Sequence, residues 1–245
     1  SVNLAYGGVF NAGGIIKPIR ETLIVMPDTS IGFIHNPKGA YELYGSQSIF
    51  KFDSPLEMTK KGLKSTGTLS HLASTLEVGK ARFGFDELTM EGDRANIKET
   101  FTSNNAYFPD VSIADFKANW KPQVDSLNIK SNEAYSFYQK STMLSGGLVV
   151  RTSGLYGQGV LERDDSQAKS NAIKFNKTGF LASESNFLIK AEAEGSKAVL
   201  DGRDVEIDFN IADKLVSISP RNGDFNDTTS SSISFPNAAY KTTID

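Results

Sequence analysis

Gly62–Phe83 reads GLKSTGTLSHLASTLEVGKARF, and 92 positions later Gly154–Phe175 reads GLYGQGVLERDDSQAKSNAIKF. No other feature of the chain restricts its fold as strongly. Aligned without gaps, Leu56–Lys98 and Leu148–Lys190 share nine identities in 43 columns: Leu56/Leu148, Gly62/Gly154, Leu63/Leu155, Gly67/Gly159, Leu69/Leu161, Ser74/Ser166, Phe83/Phe175, Ile97/Ile189 and Lys98/Lys190. Most of these are glycines and large apolar residues, the types that fix turns and cores.

The similarity extends upstream. GAYELY (Gly39–Tyr44) resembles EAYSFY (Glu133–Tyr138), and the Ala-Tyr landmark returns in AAYKTT (Ala238–Thr243). The chain therefore reads as N-terminal strands or part of a preceding repeat (1–36), a first β repeat (37–130), a second (131–236) and the start of a third (237–245). Units of about 95–105 residues stack on one another and share a continuous core. Further copies of the repeat are then the first expected partners. A third copy that begins and stops, and a first residue other than Met, imply a longer native protein.

The units read as β. In DVEIDFNI, Val205, Ile207, Phe209 and Ile211 alternate with Glu206, Asp208 and Asn210, a period of two that buries one face. NFLIKAEA places Phe187, Ile189, Ala191 and Ala193 on one face in the same way, and NAIKF gives Ala172 or Ile173 with Phe175. Turn clusters separate the runs: NKTG, EGSK, DGRD and PRNGD. SIADFKANW has Ile113, Phe116 and Trp120 at helical spacing and a capping-box-like Ser112/Asp115, but its counterpart VEIDFNIADKLVSI is strand-like. We read it as a strand with a bulge. The expected fold is all-β: an elongated β-solenoid or rolled β-sheet built from two tandem repeats.

Chemistry is harder to find. There are no cysteines, which excludes disulfides, thiolate nucleophiles and cysteine-bound zinc. The net charge of −3 argues against a nucleic-acid partner. No apolar run approaches the length of a membrane span, and no signal peptide opens the chain. The two histidines, His35 and His71, sit in different sequence contexts, and Arg163 stands where the repeat would place His71. Both read as exposed strand or turn residues. Asp164 and Asp165 in ERDDS, and Asp201 and Asp204 in DGRD, are acidic turn text rather than a paired catalytic site. GDFND (Gly223–Asp227) hints at calcium but lacks the later Gly and Glu of an EF-hand loop. No catalytic residue, metal ligand or cofactor is assigned. The one candidate ligand-binding group is aromatic. Tyr107, Phe108 and Trp120 cluster in NNAYFPDVSIADFKANW, whereas the second copy has SKAVL there; they form a sugar or apolar-ligand surface or pack in the core.

The pattern G-L-x-x-x-G-x-L, then S, I-x-F, G-F-x-A, F-x-I-K-A, V-x-I-D-F and V-x-I-S-P is carried by Gly154–Leu161, Ser166, Ile173–Phe175, Gly179–Ala182, Phe187–Ala191, Val205–Phe209 and Val216–Pro220. It resembles large envelope-associated repeat proteins of Bacteroidetes-type bacteria, over most of 140–245 and more loosely over 40–130. That family has no assigned activity, so the resemblance implies no functional residues. More distantly, the strand-after-strand layout looks like the OstA-like modules of lipopolysaccharide transport, rolled sheets with an apolar groove. The resemblance implies a periplasmic or extracellular, non-enzymatic segment with a structural or binding role, for lipid or polysaccharide. A carbohydrate-active lyase or hydrolase, or a carbohydrate-binding adhesin, is the alternative.

Overall fold

The computed structural model describes residues 4–11, 14–15, 17–25, 31–191, 197–221, 231–236 and 240–243. The strands are β1 (Leu4–Phe10), β2 (Ile19–Val25), β3 (Ile31–His35), β4 (Ala40–Glu42), β5 (Ile49–Phe52), β6 (Leu56–Thr59), β7 (Gly62–His71), β8 (Ser74–Phe83), β9 (Leu88–Ile97), β10 (Thr100–Phe101) and β11 (Tyr107–Phe108). They continue with β12 (Val111–Lys121), β13 (Ser126–Ser131), β14 (Tyr135–Phe137), β15 (Thr142–Arg151), β16 (Gly154–Arg163), β17 (Ser166–Phe175), β18 (Gly179–Ala191), β19 (Lys197–Asn210), β20 (Leu215–Pro220), β21 (Ser232–Phe235) and β22 (Tyr240–Thr243). The fold is all-β and its ladders are antiparallel. A short 3-10 turn, Pro122–Val124, interrupts the strands, and among the described residues no helix is long and apolar enough to cross a membrane.

Two compact units divide the chain. The first comprises residues 1–97, 112–132 and 150–152; the second comprises 98–111, 133–149 and 153–245. In the first unit β7, β8, β9, β12 and β13 follow one another through the sheet. On the other side of β7, β6 takes its first half and β5 its second. Its core holds Phe50, Leu69, Leu76, Phe83, Leu88, Ile97, Phe116 and Trp120. In the second unit β16, β17, β18 and β19 are consecutive neighbours, and β20 and β21 both pair with β19. Leu155, Leu161, Ile173, Phe175, Phe180, Phe187, Val205 and Ile207 are buried there. Burying each large apolar side chain stabilises by roughly 1.5–3 kcal/mol.

The hairpin β7–β8 and the hairpin β16–β17 have matching geometry, 92 residues apart. His71 faces Ser74, and Arg163 faces Ser166. Each two-residue turn starts with a left-handed residue, Leu72 (φ 51°) or Asp164 (φ 49°). Each is closed by the serine hydroxyl: Ser74 Oγ donates to His71 O at 2.6 Å and Ser166 Oγ to Arg163 O at 2.8 Å. The ladders slip at the same place, between Ser65 and Gly67 and between Gly157 and Gly159. In each, the extra residue sits on the second strand, so inward parity changes there. Leu76 and Val78 give way to Ala81 and Phe83, as Ala168 and Ser170 give way to Ile173 and Phe175.

A tyrosine fastens the next turn in each unit. Tyr44 OH donates to Gly84 O (2.9 Å) and Glu87 O (2.6 Å). Tyr138 OH donates to Asn176 O (2.7 Å) and Gly179 O. The acceptors are again 92 apart. Burial pushes both phenols up from their ordinary pKa, so each remains a neutral donor.

Several local expectations resolve. Ile173, not Ala172, faces inward with Phe175. SIADFKANW is strand β12, and its helical spacing has a simple cause. Asp115 (φ 45°) is a bulge, so Val111 and Ile113 before it and Phe116, Ala118 and Trp120 after it all face inward. DGRD is a correction: it is not a turn but part of β19, kinked at Asp204 (φ 52°). EGSK falls almost wholly outside the described residues, as do most of PRNGD and all of GDFND. Of the expected third copy, 237–239 and 244–245 also lie outside them.

Candidate functional site

The aromatic cluster is the first place to look. Trp120 lies in the first unit, edge-on to Tyr44 with ring centroids 5.2 Å apart. Tyr107 and Phe108 lie in the second unit on β11, paired with β10. All three are buried. Tyr107 OH donates to Glu99 Oε1 at 3.0 Å, and burial followed by that carboxylate raises its pKa.

His71 requires a correction: it is buried, not exposed. Its ring lies 4.9 Å from that of Trp120, and Nδ1 is 2.7 Å from Ser48 Oγ. Burial lowers its pKa to about 4, against a weaker opposing pull from Asp125. Among the described residues the neutral ring has no partner for Nε2. We assign the tautomer in which Nδ1–H donates to Ser48, because a bare lone pair at Nε2 costs less than an orphaned N–H. This Ser–His pair is not open to substrate, as a nucleophile and its base must be. The second unit builds the same corner from other residues. Arg163 Nη1 donates to Thr142 Oγ1 (3.2 Å), and its guanidinium sits 5.7 Å from the centre of the Phe209 ring. His35, half-buried, pairs with Glu21 at 2.7 Å.

The acidic clusters are committed locally. Asp164 lies in the β16–β17 turn, 3.6 Å from Arg163 Nε, and Asp201 pairs with Arg203 at 3.1 Å. Among the described residues no group of three or more His, Cys, Asp or Glu side chains is placed to hold a metal.

What the first unit does offer is a groove of about 390 Å³ on the solvent face of β6, β7 and β8. Two irregularities make it. The strand is interrupted between β5 and β6, where Ser65 Oγ donates to Ser54 O (3.1 Å) and Thr66 N to Ser54 Oγ (3.0 Å). Opposite Thr66 lies the β8 bulge with Gly79, which has no side chain to fill the space. Lys61, Lys64, Lys80 and Arg82 line the groove with a single carboxylate, Glu57. A smaller depression of about 140 Å³ adjoins it, sharing Lys80 and Arg82 and adding Glu91 and Lys117. Lys64 stands directly opposite Arg82 across the β7–β8 ladder. Glu57 meets Lys64 at 2.9 Å and Glu91 meets Lys80 at 3.2 Å, both in half-exposed pairs that contribute little stability. Lys61, Arg82 and Lys117 have no ion pair among the described residues.

Motif reading missed these cations because no motif joins them. One signal was present: the positions matching Lys61, Lys64 and Lys80 are Ser153, Tyr156 and Ala172, and only Arg82 keeps a cationic counterpart, Lys174. No protein family, curated protein or solved structure matches this chain.

Proposed function

We propose that the chain is a non-enzymatic repeat segment of a bacterial envelope or secreted protein: two copies of one rolled-sheet unit, with a binding role carried by the groove of the first. Antiparallel hairpins favour a rolled sheet over a solenoid, whose coils stack parallel strands. One observation carries the reading. The two hairpins match in register, bulge and turn hydrogen bonds at a spacing of 92 residues, while the cations at 61, 64 and 80 occur in one copy alone. Shared residues serve the scaffold, and the difference between copies supplies a site. The buried His71 corner supports the non-enzymatic part, since Arg163 with Thr142 fills the same place in the second unit. The surface lining the groove is mostly apolar, made by the stems of Lys and Arg with Pro55 and the glycines, so the cationic head groups alone favour an anionic ligand over an uncharged lipid.

The test is to incubate the purified chain with neutral and acidic polysaccharides, following retention by affinity electrophoresis and product by reducing ends and unsaturated sugars. Retention without product is expected. Product release from any of them would overturn the non-enzymatic reading in favour of a lyase or hydrolase.

A further inference from the structure

We infer that the groove of the first unit binds an acidic polysaccharide, laid across the strands from Lys61 to Lys117. The inference rests on the binding role proposed above and names its ligand class. Across the groove and the adjoining depression there are five cations, Lys61, Lys64, Lys80, Arg82 and Lys117, against two carboxylates, Glu57 and Glu91, a net of three positive charges. The excess is local, because the chain as a whole carries −3. Lys64 stands directly opposite Arg82, and like charges facing across a ladder repel; Glu57, opposite Lys64 on β6, offsets Lys64 at 2.9 Å, but Arg82 has no ion pair among the described residues. An anion between them turns that repulsion into two attractions. Arg82 offers a planar fork suited to carboxylate, sulfate or phosphate oxygens.

The layout favours an extended ligand over a single ion. The cations lie on β7, β8 and β12 and on the turn before β7, with β9 between β8 and β12. At about 4.8 Å per strand the row spans roughly 14 Å, the reach of several sugar residues. Among the described residues neither depression has a Phe, Tyr or Trp in its lining, which disfavours a single-stranded nucleic acid that would need a stacking platform.

The test uses the full chain, titrated with polygalacturonate (carboxylate), dextran sulfate (sulfate ester), neutral dextran and oligo-dT as a nucleic-acid control. The key variant is K61S/K64Y/K80A. It installs residues that the second unit carries at the equivalent positions without loss of the same fold, and circular dichroism would verify folding. Binding of one or both acidic polymers but not dextran is expected, weakening with salt and dropping about tenfold in the triple variant. Carboxylate and sulfate arms show which anion the groove prefers. Acidic-polymer binding unchanged in a folded triple variant would overturn the inference, as would failure to bind either acidic polymer. Dextran bound equally by both proteins would do the same yet leave the binding role standing. Oligo-dT bound more tightly than either acidic polysaccharide would reassign the occupant. Product release alone would strike at the non-enzymatic reading.

Discussion

Acidification should unfasten the first unit at His71. The imidazole has an ordinary pKa of 6.5 when unfolded and about 4 in the folded chain, because burial against Trp120 and Ser48 disfavours its charged form. The folded state binds the proton less well, so this contribution to stability is complete above pH 6.5 and is lost as pH falls through 4. At 1.36 kcal/mol for each pH unit between those values, the loss is about 3 kcal/mol. Carboxylates titrate in part of the same window, so a control is needed. His71→Phe keeps a ring beside Trp120 but cannot protonate, and at pH 7 it costs about 1–2 kcal/mol by stranding the Ser48 hydroxyl. Urea unfolding between pH 7 and 4 can be followed by fluorescence, because Trp120 is the only tryptophan. Wild type should lose about 3 kcal/mol more than His71→Phe over that range. Parallel pH profiles for the two proteins would refute the reasoning.

Other perturbations follow from the packing. Tyr138→Phe and Tyr44→Phe should each cost about 1–2 kcal/mol in chemical denaturation, since each removes the donor shared by two turn carbonyls. Phe175→Ala should cost about 3–5 kcal/mol, because its ring is buried and stacked on Phe137 at 4.2 Å. Gly159→Ala should destabilise more than Gly62→Ala. Both backbones are left-handed, but a Cβ at 159 would sit 2.2 Å from Ser145 O, while at 62 it meets open space. Equal melting temperatures for those two alanine variants would contradict the close approach.

Much of the β character was legible because it rests on a local rule. Val205, Ile207 and Phe209 alternate in sequence and are all buried. The bulge at Asp115 could be inferred by comparing the two copies, although its own text mimics a helix. Other features depend on pairings between distant residues. His71 looks like a surface histidine by residue type, and only the approach of Ser48 and Trp120 makes it an interior one. Tyr107, Phe108 and Trp120 are close in sequence, yet the chain passes from one unit to the other between them. The groove is the converse case. Lys64 and Arg82 are 18 residues apart in the chain, and hairpin register alone makes them neighbours.

The tyrosine fastenings also bear on the order of assembly. The β7–β8 and β16–β17 hairpins close through two-residue turns, so their contacts are local and form on the microsecond scale. The hydroxyl of Tyr44 instead reaches across 40 residues to Gly84, and that of Tyr138 across 38 to Asn176. Such contacts reward the chain only after a large loop has closed. They are therefore expected to engage after the rate-limiting step, in which case removing either hydroxyl should hasten unfolding and leave refolding nearly unchanged, whereas slowed refolding would place the contact in the transition state. Each hydroxyl would then lengthen the lifetime of its folded unit while contributing little to the rate at which that unit forms.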